Sequence, residues 1–264
     1  MKKQLLSISF LCTFLFAAAQ NSIPNGGFEN WTSGTFDYPT NYPYTTNWDA
    51  FFKCQTAFNC IKSTDAYNGS FAVELTTRIS GTDTCMGAFL NTIPNDSFPN
   101  WSGGFAYNQT PTGIRGYYKS AIASPDTGRI LTIFKQGGSV IGTYIFSLYG
   151  TQSTYAPFSF TFTPPLASAP DTVIFAAASS DFATETNNLN GSMLKLDSVS
   201  FTGALSQPTL MNGSFELWQS QTVNRPNNWT YNNWEGMSRT TDAYSGIYAM
   251  QLETLPGDNN GNPV

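Results

Sequence analysis

The sequence predicts an all-β protein, a β-sandwich or jelly roll, from three observations. Short runs rich in β-branched and aromatic residues alternate with turn-forming Gly, Pro and Asn along the 264 residues. Aromatic residues make up 15% of the chain and charged residues only 11%, a balance that suits extracellular β-structure. Beyond the first twenty residues, no window shows convincing helical periodicity. These features indicate many short strands packed in two layers.

The N-terminus has the features of a secretory signal peptide. Lys2 and Lys3 precede an apolar stretch over residues 5–16, which is followed by three alanines ending at Ala19. A basic start, a short apolar core and a small-residue site predict that residues 1–19 are a signal peptide cleaved after Ala19. The stretch is too short to span a membrane, and no later stretch is long and apolar enough. We therefore expect a secreted or cell-surface protein without membrane insertion.

The strands are predicted from alternation and from the turns between them. "SGTD" and "QGGS" each separate two apolar runs and predict hairpins. In "FSFTFT" the strict alternation places Phe158, Phe160 and Phe162 on one face. The predicted strands cover residues 71–79, 84–90, 129–135, 140–148, 158–163, 171–179 and 192–201.

Two motifs occur twice in the same order. "NGGFENW" at 25–31, which we call the first phrase, recurs as "NGSFELW" at 212–218, the second phrase. "TDAYNGSFAVELTT" at 64–77 likewise recurs as "TDAYSGIYAMQLET" at 241–254. A Trp in polar, Pro-containing sequence lies between the two motifs of each pair. A repeated order of separate motifs predicts two domains of one type.

The repeat defines the predicted domains. The first β-sandwich covers residues 20–203, a Pro-containing linker covers 204–210, and an incomplete second β-sandwich repeat covers 211–264. The second copy stops soon after its Asp-Ala-Tyr-Ser-Gly motif, and a domain without most of its strands could not close a core. We therefore interpret the chain as a truncated fragment of a longer protein.

The residues that are missing or scarce narrow the possible functions. The chain contains no histidine, which removes Ser-His and Cys-His nucleophile pairs and all His-ligated zinc and iron sites. The net charge is −5, whereas nucleic-acid binding needs a basic surface. The composition is 41% hydrophobic, so the chain can form a core and disorder is not expected.

Three cysteines remain after signal cleavage: Cys54, Cys60 and Cys85. Export favours a disulfide between two of them, and the odd count leaves one thiol unpaired or pairs it with another chain. Which two cysteines pair is left open by the sequence. A zinc site made by all three is poorly spaced.

Several motifs together resemble a known family. They are "NGGFENW", "STDAYNGSFAVEL", "IRGYYK", "PDTVIFAAASS" and "GSMLKLDSVSF", in the order seen in galactose-binding-like jelly rolls of secreted bacterial proteins. The chain resembles the family called "putative carbohydrate metabolism domain" over residues 23–203 and, incompletely, over 208–264. The resemblance implies a jelly-roll β-sandwich followed by the start of a second copy. It also implies a type IX secretion context and a kinship with non-catalytic carbohydrate-binding modules.

The same resemblance implies a structural calcium ion. In carbohydrate-binding jelly rolls of this kind, calcium ties the N-terminal phrase to the last strand, which implies Glu29 and Asp197 as ligands. Backbone carbonyls near Asn68 and Gly69 would complete the set, since calcium takes six to eight oxygens including carbonyls. The alternative for Glu29 is that it accepts backbone N–H bonds at a turn. Apart from calcium, no cofactor is expected.

A glycan site requires exposed aromatic rings beside polar groups, because sugar rings stack on flat aromatic faces. Aromatic residues that recur in the second copy, including Tyr67, are assigned to the shared core, and "RGYYK" is interpreted as structural. The non-repeated loops "NYPYTTNW" and "PNWSGGFAYNQ" supply the ligand-binding candidates Tyr42, Tyr44, Trp101 and Tyr107. The alternative is that these rings pack over the edges of the sandwich.

Two functions from different classes follow from the sequence. The first is a secreted, non-catalytic carbohydrate-binding module, an accessory part of a glycan-processing or surface protein. The second is a structural or adhesive β-sandwich spacer that binds no sugar. A glycoside hydrolase is a distant alternative, because such enzymes need two carboxyl groups at a fixed separation and no spacing in the sequence pairs them. We therefore expect no enzymatic activity, a possible glycan ligand and no nucleic-acid partner.

Overall fold

The computed structural model describes residues 23–55, 57–92, 97–182, 188–203, 210–229 and 236–253. The predicted signal peptide and residues 204–209 of the predicted linker lie outside this part of the chain. The chain divides into two compact units. The larger unit contains residues 33–223, and the smaller one contains residues up to 32 together with 224–253. No helix in the described ranges is long and apolar enough to cross a membrane.

The larger unit contains a six-stranded antiparallel sheet, which we call sheet A. Its strands, numbered in chain order, are β2 (Tyr44–Thr45), β7 (Ala88–Leu90), β8 (Phe105–Ala106), β10 (Gly128–Gln136), β11 (Ser139–Leu148) and β13 (Thr172–Ala178). The order is β11-β10-β13-β7-β2, and β8 also pairs with β13. Gly137 and Gly138, both with positive φ, form the turn between β10 and β11. The hairpin predicted from "QGGS" is thereby confirmed.

A five-stranded antiparallel sheet, sheet B, forms the second layer. Its strands are β3 (Cys60–Ser63), β4 (Ala72–Thr76), β9 (Gly113–Ile122), β12 (Gly150–Thr161) and β14 (Met193–Thr202). The order is β12-β9-β14-β4-β3. Strand β9 lies at 113–122 and therefore contains the "RGYYK" motif.

The path of the chain through these sheets is that of a jelly roll. Strands β4, β9, β12 and β14 lie in sheet B in the order β12-β9-β14-β4, and strands β7, β10, β11 and β13 lie in sheet A in the order β11-β10-β13-β7. Eight strands distributed over two antiparallel sheets with Greek-key connections define the jelly roll. The predicted fold class, an all-β jelly-roll sandwich, is confirmed.

The core lies between the two sheets. It contains Leu75 and Ile114 of sheet B and Phe134 and Phe175 of sheet A, all fully buried. The alternation in "FSFTFT" places Phe158 and Phe162 in this core, and Phe160 packs against it. Each fully buried side chain of this size contributes about 1.5–3 kcal/mol through the hydrophobic effect.

A disulfide ties together two short elements beside the sandwich. Strands β5 (Arg78–Ser80) and β6 (Asp83–Cys85) form the hairpin that "SGTD" predicts. A helical segment, α1 (Asn47–Asp49), continues as a π-helical turn over Ala50–Cys54; it is too short to be visible as periodicity in the sequence. Cys54 of this turn is bonded to Cys85 of the hairpin, and Cys60 remains a buried thiol. Burial raises the pKa of Cys60 well above its usual value.

The second phrase, residues 212–218, belongs to the larger unit, which corrects the predicted domain boundaries. Phe215 is 0% exposed and lies in the core against Tyr42 and Phe89. Strand β15 (Trp218–Pro226) follows it and pairs with β1 (Trp31–Pro39). The sandwich therefore does not end at residue 203, because its core includes an aromatic ring from beyond the predicted linker.

The smaller unit contains the first phrase and a hairpin. Strands β16 (Met237–Thr240) and β17 (Ala249–Leu252) pair as an antiparallel ladder. The ring of Phe28 packs on Trp229 with centroids 5.0 Å apart. The start of a second copy of the jelly roll, predicted for residues 211–264, stays a prediction of the sequence.

A tyrosine cleft on sheet B as the candidate functional site

The candidate site begins with a β-bulge in strand β14. Asp197 pairs with Tyr117 and Ser200 pairs with Arg115, so Ser198 and Val199 together face Gly116 on β9. Ser198 adopts the left-handed backbone conformation with φ 51°, which re-aims the side chains on either side. A Cβ atom on Gly116 would lie 2.8 Å from the ring of Phe158, so only glycine fits this position without movement. Bulges of this kind are common beside functional sites because they redirect side chains.

A cleft of about 580 Å³ opens over the bulge. We call it the tyrosine cleft. It combines aromatic rings, hydroxyl groups, an amide and one cation, which are contributed by β9, β12, β14 and the loop before β4. The lining residues are Tyr67, Asn68, Arg115, Gly116, Tyr117, Pro157, Phe158, Ser159, Ser198 and Ser200.

Two stacked tyrosines provide the aromatic surface of the cleft. The rings of Tyr67 and Tyr117 have centroids 3.5 Å apart and are inclined by 12°. Tyr155 meets Tyr67 edge to face, with centroids 5.8 Å apart. A hydrogen bond with the Tyr117 side chain raises the pKa of Tyr67. Tyr67 is 46% exposed, so its assignment to the core was wrong: the loop holds the ring over the outer face of sheet B.

The buried carboxylate of Asp197 positions the loop that carries Tyr67. It accepts hydrogen bonds from the backbone N–H of Tyr67 at 2.7 Å and of Asn68 at 3.1 Å. Ser198 also donates its hydroxyl to Asp197, at 3.1 Å. Burial raises the pKa of Asp197 above its usual value, although these hydrogen bonds act in the opposite direction. Asp197 thus connects the aromatic surface of the cleft to the bulge in β14.

An ion-pair network lies on sheet B beside the tyrosines. Asp65 pairs with Lys119 at 2.7 Å and with Lys195 at 2.8 Å, and Glu74 pairs with Lys195 at 3.0 Å. Hydrogen bonds from Lys119 and then Lys195 lower the pKa of Asp65. The hydroxyl of Tyr155 donates to the backbone oxygen of Asp65 at 2.6 Å. The network therefore holds both the start of the loop and Tyr155 in place.

Arg115 is the cation that lines the cleft. Its Nε donates to Ser200 Oγ at 3.4 Å, and its side chain is exposed. Arg115, Tyr117 and Lys119 alternate along β9 on the face opposite Ile114. The alternation in "RGYYK" was therefore a signal for this surface, although the motif was interpreted as structural.

The calcium ligands implied by the resemblance are only partly brought together. Asn68 and Gly69 lie on the loop that Asp197 holds, but the carboxylate next to Gly69 is that of Glu216. Glu29 instead accepts hydrogen bonds from the backbone N–H of Ile247 and Tyr248. The structure shows the alternative for Glu29, an acceptor of backbone N–H bonds, and its role as a calcium ligand stays a prediction. In the described ranges no group of three or more Asp, Glu, Cys or His side chains could hold a metal ion; calcium binding stays a prediction.

Two of the four predicted ligand-binding aromatic residues are in the core. Tyr42 is 0% exposed and donates its hydroxyl to Met211 O at 2.7 Å. Tyr107 is 4% exposed and packs against Phe201, and burial raises its pKa to about 12. Both predictions were wrong, because the loops that carry these residues turn inward between the sheets.

The other two predicted aromatic residues, Tyr44 and Trp101, are half-buried. They pack on a second apolar cluster formed by Leu131, Ile133 and Ile174 of sheet A. Covering this outer face of sheet A removes apolar surface from water. Both rings therefore pack over the sandwich, which is the alternative given for them in the sequence analysis.

Comparison with known proteins gave matches among solved structures only. No family model and no curated protein matches the chain. A "putative glycoside hydrolase" from Bacteroides thetaiotaomicron is 16% identical with a TM-score of 0.47, over 62% of this chain and 63% of that one. The chain thus spans under two thirds of that structure. A "putative glycoside hydrolase" from Bacteroides vulgatus is 15% identical with a TM-score of 0.45, over 67% of this chain and 96% of that one.

A family 11 carbohydrate-binding module from Clostridium thermocellum, in complex with a β-1,3-1,4-mixed-linked tetrasaccharide, is also similar. It is 14% identical with a TM-score of 0.35, over 69% of this chain and 95% of the module.

Proposed function

We propose that this protein binds glycans without cleaving them and that the tyrosine cleft is the binding site. The observation that carries the proposal is the stacked pair Tyr67 and Tyr117 beside the polar groups of the cleft. Flat aromatic faces take the apolar faces of sugar rings, and nearby polar side chains bond the hydroxyls. Both kinds of group occur here within one cleft on a rigid sheet.

The polar groups of the cleft suit sugar hydroxyls. Arg115 offers several N–H donors, Asn68 offers both donors and an acceptor, and Ser198 and Ser200 can do either. Their backbones are held by β9, by β14 and by the hydrogen bonds from the loop to Asp197. A pre-formed site loses less entropy on binding than a mobile one.

The chemistry of the cleft favours binding over hydrolysis. Most glycosidases use two carboxyl groups that flank the scissile bond. Of the carboxylates beside the cleft loop, Asp197 and Glu216 accept backbone N–H bonds and Asp65 pairs with two lysines. We therefore propose a non-catalytic module, and incubation with each bound glycan should release no new reducing ends.

The signal peptide predicted for residues 1–19 supports a role outside the cell. We propose that the module is secreted or held at the cell surface as an accessory part of a glycan-processing or surface protein. The alternative from the sequence, a spacer that binds no sugar, makes the opposite prediction in the experiment that follows.

A glycan array with plant, algal and host glycans tests the proposal. The intact mature chain should bind at least one glycan class, and Tyr67→Ala or Tyr117→Ala should weaken that binding about fivefold or more, since each stacked ring contributes about 1 kcal/mol. The matched control is Tyr149→Ala, because Tyr149 is an exposed tyrosine outside the cleft. Trp101→Ala should lower stability rather than affinity, because Trp101 packs on sheet A.

Two results would overturn the proposal. Failure to bind any glycan on the array would favour the spacer. Binding that both cleft variants leave unchanged would place the glycan site elsewhere on the molecule.

A further inference from the structure

The two Asn-Gly-x-Phe-Glu-x-Trp phrases form the same turn. Asn25 and Phe28 have φ of 52° and 54°, and Asn212 and Phe215 have φ of 48° and 53°. In each phrase the Trp Nε1–H donates to the carbonyl of the Phe three residues earlier. In each phrase the Asn side chain also closes a loop onto the residue five positions later. The repeated sequence thus produces the same local structure twice.

Each Glu of a phrase accepts hydrogen bonds from two consecutive backbone N–H groups. Glu216 Oε1 accepts from Ser70 and from Phe71, both at 3.0 Å. Glu29 accepts from Ile247 at 3.0 Å and from Tyr248 at 3.3 Å. The donating N–H groups lie at equivalent positions, directly after the two Asp-Ala-Tyr-x-Gly motifs. The second phrase therefore binds the loop of the first Asp-Ala-Tyr-x-Gly motif, and the first phrase binds the loop of the second Asp-Ala-Tyr-x-Gly motif.

Glycine makes these contacts possible. A Cβ atom on Gly69 would collide with the Glu216 carboxylate, and one on Gly246 would collide with the Glu29 carboxylate. Both glycines have a positive φ, 79° and 80°, so they provide the turn and the close approach together. Charge-assisted bonds from backbone N–H groups to a carboxylate are among the stronger hydrogen bonds in proteins.

The second phrase also contacts the bulge of the tyrosine cleft. The backbone N–H of Val199 donates to Gly213 O at 2.8 Å. A Cβ atom on Gly213 would collide with Val199 O, so the phrase backbone lies directly against the bulge. With Phe215 in the core, the phrase touches the bulge, the cleft loop and both sheets of the sandwich.

We infer that the phrase is a docking segment whose receptor is the Asp-Ala-Tyr-x-Gly loop of the other motif pair. The two motif pairs exchange their phrases, so that each phrase completes the fold of the other half of the repeat. The jelly roll that carries the tyrosine cleft is thus completed by residues 210–223 rather than by the phrase at its own N-terminus. The recognition chemistry is a carboxylate that binds two backbone N–H groups beside a glycine, with an aromatic anchor from the same turn.

Crosslinking in the mature chain tests the exchange directly. Equivalent exposed positions follow the Glu in the two phrases, Leu217 and Asn30, and equivalent positions follow the two glycines, Ser70 and Ile247. A short bis-maleimide should link the cysteines of Ser70→Cys/Leu217→Cys and of Ile247→Cys/Asn30→Cys. The combinations Ser70→Cys/Asn30→Cys and Ile247→Cys/Leu217→Cys serve as matched controls and should remain unlinked within one chain. Links in the control pairs with none in the first two would overturn the exchange.

The buried Cys60 thiol supplies an independent measurement. Cys60 lies in the core of the sandwich and is 1% exposed, so its alkylation rate reports opening of that core. Phe215→Ala/Glu216→Gln should raise the rate by about tenfold or more, and Phe28→Ala/Glu29→Gln should leave it nearly unchanged. Equal acceleration in both variants, or acceleration only in the second, would contradict the inference. If the first variant does not fold, Glu216→Gln alone replaces it in the same comparison with Glu29→Gln.

Discussion

Glu216 and Gly69 lie in direct contact although they are far apart in the sequence. The Glu216 carboxylate occupies the space that a side chain at Gly69 would fill, and it accepts the N–H groups of the two residues that follow. The contact joins the second phrase to the loop that presents Tyr67 to the cleft. A glycine that looks like an ordinary turn residue is therefore also part of a long-range interface.

Gly69→Ala should destabilise the larger unit more than Gly81→Ala. Both glycines have a positive φ, 79° and 64°, but a Cβ atom on Gly81 would meet nothing within 4 Å. The left-handed backbone alone costs about 1–2 kcal/mol for alanine, and overpacking against Glu216 should add about 1–3 kcal/mol. Urea unfolding followed by tryptophan fluorescence measures both free energies of unfolding. Equal losses in the two variants would show that the contact with Glu216 is not formed.

Asp65 should make stability depend on pH in the acid range. Its pKa in the folded protein is lowered by Lys119 and Lys195, so the unfolded state binds more protons between the two pKa values. The stabilisation is therefore complete above the unfolded pKa of about 4 and is lost as the pH falls through the folded pKa. Because Asp65 is half-exposed, we expect only about 1 kcal/mol.

The measurement is the free energy of unfolding of the wild type minus that of Asp65→Asn at several pH values. The difference should be largest near pH 6 and should shrink at about pH 3. Burial raises the pKa of Asp197, so Asp197 changes the free energy of unfolding with pH in the opposite direction in both proteins. This contribution cancels when the two free energies are subtracted. A gap that stays constant over this range would exclude the ion pairs as its source.

The Cys54–Cys85 disulfide should stabilise the fold and should leave Cys60 free. The two cysteines are separated by 31 residues, for which the loop-entropy model gives about 3–4 kcal/mol. Cys54→Ser/Cys85→Ser should lower the free energy of unfolding by about this amount. Non-reducing peptide mapping of the mature chain should find Cys54 linked to Cys85, and a Cys60-containing disulfide in either combination would contradict the structure.

Calcium binding, implied by the resemblance, predicts that a chelator lowers the melting temperature and that added calcium restores it. The comparison should include magnesium, because the smaller ion demands a tighter octahedral site. An unchanged transition would refute a calcium ion bound in the native state. Glu29 and Asp197 would then act only as acceptors of backbone N–H bonds.

Local pattern was sufficient for the two predicted hairpins and for strands β10 to β14, whereas strands β1, β3 and β9 were not predicted. Alternation in "FSFTFT" and the glycines of "QGGS" act through neighbouring residues, because side chains alternate in direction along a strand and a tight turn needs positive φ. The resemblance likewise pointed to a jelly roll. These features require no knowledge of what packs against them.

The tertiary structure decided which aromatic side chains are exposed and which residues they contact. Tyr42 and Tyr67 both lie in polar loop sequence, yet one is buried between the sheets and the other stands over the cleft. The recurrence of Tyr67 in the second motif suggested a core role. Recurrence shows only that the residue is retained, and it does not show whether the side chain is buried.

The repeated phrase itself shows the same division. The sequence by itself determined that residues 25–31 and 212–218 form one kind of turn, since the turn depends on hydrogen bonds within five residues. Only the tertiary structure decided which loop each phrase holds, because both phrases carry the same Glu and both loops offer the same glycine and backbone N–H groups. That choice depends on contacts made by residues more than a hundred positions away, and no local pattern in the chain encodes it.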